Sequence, residues 1–108
     1  MLNYISRSRD AAWDGEFEGE GYGSAVSIIC TKLARPGEGP KLHRHPYSET
    51  FLVRHGVVSF TVGQATFEAC AGQIVVVPAG IAHGFTGKSG RVEMIDIHAS
   101  PRFNTEWL

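Results

Sequence analysis

Residues 37–56 read GEGPKLHRHPYSETFLVRHG, which places His43, His45 and Glu49 within a few positions of one another. In an extended strand, alternate side chains share a face, so His43 and His45 point the same way. Their Cα atoms then lie about 6.5–7 Å apart, close enough for two imidazoles to share one ion. Pro46 biases His45 towards an extended backbone and removes a ladder donor, which suits a bend or sheet edge. The chain can then return Glu49 to the same face. Two neutral ring nitrogens and a carboxylate oxygen suit a borderline or hard transition ion.

The sequence on either side of this stretch is strand-like. SAVSIICTKLA (24–34) is rich in β-branched residues and stops at Pro36-Gly37. VVSFTVG and ATFEACAG flank Gly63-Gln64, a hairpin signal. QIVVVPAG (73–80) is a nearly unbroken apolar run, which predicts a strand buried on both faces. RVEMIDIHA (91–99) gives a last strand before the aromatic tail SPRFNTEWL. That tail either closes its own barrel or packs on a neighbouring subunit. Residues 1–22, glycine-rich and acidic towards their end, read as an arm or edge strand, and residues 23–108 as the barrel. With 13 glycines and 5 prolines in 108 residues, the expectation is a single all-β domain, a sandwich or barrel of about eight short strands.

His83 lies in VPAGIAHGF, after a turn set by Pro78-Ala79-Gly80. A strand starting there, run beside the His43–His45 segment, would aim His83 at the same point. At this stage the chain resembles the cupins. Their first motif is matched by Gly37, His43, His45, Glu49 and Gly56, and their second by Gly72, Pro78, Gly80 and His83, all at the family's intervals. Gly87 stands where the second motif ends in asparagine. The resemblance implies a jelly-roll-like double-stranded β-barrel holding one divalent transition-metal ion (iron, manganese, zinc or nickel) through His43, His45, Glu49 and His83. It also implies a homodimer. Glu49 is expected either as a ligand or as a catalytic base beside the ion.

Phe51, Val53, Phe60, Phe67, Val75, Val77 and Phe85 are expected in the interior, with Phe51 and Phe85 lining a pocket beside the ion. His55 reads as an exposed turn residue, and His98 as a surface or subunit-contact residue. So apolar a pocket suits a small, largely apolar or aromatic molecule. Among cupins with this ligand set, the resemblance suggests a dioxygenase, and also isomerases, lyases and cyclases. A metal-anchored binding or sensing module is the other class. The net charge of −1 gives no reason to expect a nucleic-acid or anionic-membrane partner. MLNYISRSRD lacks the apolar run of a secretion signal, and Cys30 and Cys70 are the only cysteines, so a cytoplasmic protein with reduced thiols is expected.

Overall fold

The computed structural model describes Arg7 and residues 12–108, so much of the expected arm lies outside the described residues. The chain forms β1 (Gly15–Phe17), β2 (Ser27–Leu33), β3 (His43–Arg44), β4 (Glu49–His55), β5 (Val57–Val62), β6 (Ala65–Cys70), β7 (Ile74–Val77), β8 (His83–Gly87), β9 (Val92–His98) and β10 (Glu106–Trp107). A single 3₁₀ turn, Gly19–Tyr22, separates β1 from β2. One antiparallel sheet has the order β1-β2-β9-β4-β7 and the other β10-β3-β8-β5-β6. The two form a jelly-roll-like β-barrel. Among the described residues, no helix is long and apolar enough to cross a membrane.

Period-two patterning builds the interior. On β4, Glu49, Phe51 and Val53 are buried in alternation with Thr50, Leu52 and Arg54. Phe51 and Phe60, from opposite sheets, meet edge-to-face at 5.1 Å, and Phe85 packs on both. Val53, Val58, Val75, Val77, Val92 and Met94 complete this apolar end of the barrel. The β5–β6 hairpin turns at Gly63-Gln64, with Val62 opposite Ala65. Gly56 makes the β4–β5 turn at φ +86°, and a Cβ there would sit 2.0 Å from the Arg91 carbonyl oxygen. Only glycine fits such a position. At Gly87, where the family motif carries asparagine, backbone bonds lock the two motifs together. Gly37 N–H donates to the Gly87 carbonyl and Gly87 N–H to the Glu38 carbonyl, both at 2.8 Å.

Three expectations are corrected. The run at β7 is not buried on both faces: Val75 and Val77 point inward, while Ile74 and Val76 are 63% and 58% exposed. This strand lies at a sheet edge, and its outward apolar residues are not covered by any layer of the described residues. Phe67 sits opposite Phe60 and stacks on it, but its own edge strand leaves it 39% exposed. His98 is not a surface residue; it is 2% exposed and belongs to the site described next. β10 of the tail pairs with β3, placing Trp107 opposite His43 and Glu106 opposite Arg44, so the tail joins its own barrel while Trp107 and Leu108 stay 63% and 58% exposed.

Candidate metal centre

Strand register brings distant residues together. His43 of β3 stands directly opposite His83 of β8, and their ring centroids are 4.3 Å apart. On the facing sheet, Glu49 of β4 stands opposite His98 of β9. His45 follows β3 in the link to β4, where its carbonyl accepts a 2.7 Å bond from Gly80 N–H of the second motif. His43, His45, Glu49 and His83 are all buried, and one donor atom from each lies within 4.8 Å of every other. His55 is exposed and stays outside this group.

The hydrogen bonds decide which way each imidazole faces. His43 Nδ1 is 2.7 Å from the Lys41 carbonyl oxygen, His45 Nδ1 2.8 Å from that of Asn104, and His83 Nδ1 2.9 Å from that of Ile81. A carbonyl only accepts, so each Nδ1 carries the proton and donates it. A neutral ring has one N–H, which leaves three Nε2 lone pairs facing the centre. His45 Nε2 and His83 Nε2 stand 3.0 and 3.1 Å from the same oxygen, Glu49 Oε1. Lone pairs at that separation repel unless a positive charge lies among them. His45 Nε2 is buried without a well-formed hydrogen bond. These donors fit a divalent transition ion in kind, number and orientation.

The electrostatics express the same demand for positive charge. Without an ion that charge can come only from protons on the rings: burial would raise the Glu49 carboxyl, but hydrogen bonding from protonated His45, His83 and His98 nitrogens outweighs it and holds the group below the usual carboxylate range. Burial would likewise lower His45, yet Glu49 and the Asn104 carbonyl move it upward. His43 is held down, chiefly by burial.

A support chain lies behind the carboxylate. Asn104 N–H donates to the Tyr47 hydroxyl at 3.1 Å, and that hydroxyl is 2.8 Å from His98 Nδ1. The Tyr47 hydroxyl thus bridges Asn104 and His98 Nδ1. His98 Nε2 stands 3.1 Å from Glu49 Oε2, off the line of a well-formed bond, while Oε1 faces the imidazoles of His45 and His83.

A cavity of about 420 Å³ opens on the cluster, lined by His43, His45, Glu49, His98, Phe85 and Trp107 among others. Phe85 is on the wall as expected. Phe51 is not; it is fully buried behind Phe85 in the core. Sequence reasoning missed His98, Tyr47, Thr31, Asp96 and the tail's contribution. One signal was present: Val92, Met94, Asp96 and His98 share parity on β9, and all face inward.

A β-barrel with a buried His/Glu cluster at the junction of its two sheets is the architecture these observations define. The Cupin_2 family model, a cupin domain, matches residues 33–98, and the chain belongs to that family. Over 57 residues it is 33% identical to an uncharacterized protein of Streptomyces coelicolor. That match covers 53% of this chain and 54% of the relative, so the chain spans about half the length of the curated relative it matches. An uncharacterized conserved protein with a double-stranded β-helix domain from Klebsiella pneumoniae superposes with a TM-score of 0.72 at 19% identity, over 94% of this chain and 88% of that one. A salicylate 1,2-dioxygenase from Pseudaminobacter salicylatoxidans superposes with a TM-score of 0.66 at 17% identity, over 71% of this chain and 22% of that one. At these identities the two structures share the fold with this chain.

Proposed function

We propose that this protein is a metal-dependent enzyme acting on a small, largely apolar or aromatic molecule, with dioxygenase chemistry as the favoured reaction. The observation that carries the reading is the convergence of three Nδ1-tethered imidazoles and Glu49 Oε1 beside a cavity whose wall includes Ile29, Leu33, Phe85 and Trp107. His43, His45, Glu49 and His83 would hold the ion. When bound, it would supply Lewis acidity or dioxygen activation at a position open to the cavity. Glu49 is then a ligand. Its carboxyl is held below the usual range, so at neutral pH it has no proton to give and is a weak base. Ile29, Leu33, Phe85 and Trp107 would receive the apolar body of the substrate and exclude water around it. The dioxygenase similarity in fold supports this reaction class over a purely structural ion.

The protein should also pair with a second copy. Ile74 and Val76 stand exposed on an edge strand, and Leu52, Ile95 and Ile97 on the same outer face are only half-buried. Sedimentation would read the pairing, and Val76→Lys should weaken it. The free Cys30 and Cys70 fit a reducing, cytoplasmic setting.

Elemental analysis of protein purified without chelators, followed by oxygen uptake on the iron- or manganese-loaded form with catechol, salicylate or pentane-2,4-dione, tests the enzymatic reading. Stoichiometric metal with oxygen consumption supports it. A chain that binds no first-row divalent ion would refute the metal centre, and tightly held zinc without turnover would favour a metal-anchored binding module.

A further inference from the structure

We propose that residues 103–107 are a positioning strap for the metal centre: docked on the barrel mouth, they fix the His45 imidazole through Asn104, so that ion binding and docking of the tail stabilise each other. The three imidazoles are not tethered alike. His43 and His83 each donate from Nδ1 to a carbonyl two residues earlier, those of Lys41 and Ile81. Such tethers travel with the strand that bears the ring. His45 donates instead to the Asn104 carbonyl, 59 residues further on, at 2.8 Å, and Thr105 Oγ1 stands 3.3 Å from the same nitrogen. Asn104 N–H also holds the Tyr47 hydroxyl at 3.1 Å, and the Tyr47 ring stacks on His45 at 5.0 Å. One segment therefore sets both the tautomer and the direction of His45. Trp107 packs on His43 at 4.9 Å, and with Thr105 it forms part of the cavity wall.

The strap's own fastenings are slight. β10 pairs with β3 over two residues. Arg44 clasps the Glu106 carboxylate from Nε and Nη2 at 2.8 and 2.9 Å, and Leu108 N–H donates to the Leu42 carbonyl at 3.1 Å. Trp107 and Leu108 stay exposed, so their burial adds little. An exposed ion pair and a two-residue ladder are weak, and segments with few buried apolar contacts open locally at low cost. An ion that needs His45 Nε2 at a fixed point binds better while the strap is docked. By linkage it must then hold the strap down by the same factor. Ion loading would thus also firm the part of the cavity wall that Thr105 and Trp107 supply.

This inference rests on the proposed metal centre, and the tests separate the two. Zinc affinity is read by competition with a chromophoric chelator on the wild type, on a chain ending at Arg102 and on Glu106→Lys. The last variant sets like charges at the Arg44 pair and touches no ligand or core residue. The shortened chain should bind zinc about tenfold more weakly, the scale of a lost outer-shell partner. Glu106→Lys should bind about threefold more weakly, and adding Arg44→Glu, which reverses the pair, should restore most of the loss. Circular dichroism before zinc is added confirms that each chain is folded, so lower global stability alone would not move these affinities. Hydrogen exchange on the unaltered chain reads the reciprocal effect. Zinc should slow the Asn104 and Leu108 amides by about the factor that shortening costs in affinity. The Cys70 amide, opposite Val57 at the end of β5 away from His83, should change little. Wild type that binds zinc no more tightly than the shortened chain would overturn the proposal, as would tail amides that exchange at one rate with and without zinc. If the shortened chain does not fold, Glu106→Lys takes its place, and wild-type affinity in that variant is the refuting result. A wild type that retains no zinc refutes the metal centre itself, and the strap with it.

Discussion

Asp96 makes the stability of the apo protein fall as pH rises, and replacing it with asparagine should abolish that fall. The carboxyl moves from an ordinary 3.8 to about 8 on folding, chiefly through burial. Between those values the folded chain holds one proton that the unfolded chain has released. Stability changes with pH in proportion to protons bound in the unfolded state minus those bound in the folded state, so its slope here is negative, about −1.4 kcal/mol per pH unit. From pH 5 to pH 7 the loss amounts to about 3 kcal/mol. With an m-value of about 1.5 kcal/mol per molar, the urea midpoint should drop by about 2 M. The other groups of the site act in different windows. His43, lowered by burial, adds stability as pH rises towards 6.5. His45, raised by its partners, loses stability as pH climbs above 6.5. Glu49 matters only below about 4.5, where its stabilisation is lost as pH falls. All three are common to both proteins, so the difference between wild type and Asp96→Asn isolates Asp96. The measurement is a series of urea unfolding curves in chelator from pH 5 to 8. Parallel midpoint-versus-pH curves for the two proteins would refute the reasoning.

Other consequences can be measured separately. Zinc at about a hundred times its dissociation constant should raise stability by about 2.7 kcal/mol, read as a thermal shift, and His83→Ala should remove that gain. Tyr47→Phe deletes the hydroxyl that orients His98 and should weaken ion affinity about tenfold or more in competition with a chromophoric chelator, with little change in fold. Phe51→Ala empties a fully buried site between the sheets and should cost about 3–5 kcal/mol in denaturant unfolding. Gly56→Ala meets both a left-handed backbone and the Arg91 carbonyl, and should cost about 1–3 kcal/mol or more by the same assay.

The sequence carried the ligand cluster because its members obey short rules. His43 and His45 share a face by parity, and the motif spacings place Glu49 and His83. The last strand hid its role because its inward face is mixed. Val92 and Met94 are apolar and buried, Glu93 between them is buried too, and Asp96 and His98 put polar groups where an apolar pattern would continue. Alternation measured by hydrophobicity fails where function replaces hydrocarbon with carboxyl and imidazole. β7 erred the other way, since an apolar run does not say whether its outer face is covered. The bond from His45 to the Asn104 carbonyl links residues 59 positions apart, and no local pattern encodes it.

The division of labour between the sheets explains why this site sits at the barrel mouth. The sheet containing β3 and β8 supplies the imidazoles of His43 and His83, and His45 lies just beyond β3. The sheet containing β4, β9 and β2 supplies Glu49, His98, Asp96 and Thr31. At the far end, Phe51 and Phe60 join the two sheets through apolar contact that needs no partner of opposite sign. At the mouth, the facing groups are polar, and two imidazole lone pairs confront one carboxylate oxygen across the junction. Hydrocarbon cannot satisfy that end, and water would forfeit the seclusion the cavity provides. A cation there would turn the repulsion among these donors into a bond between the sheets. The same charge, set beside Glu49, would relieve part of the field that keeps Asp96 protonated.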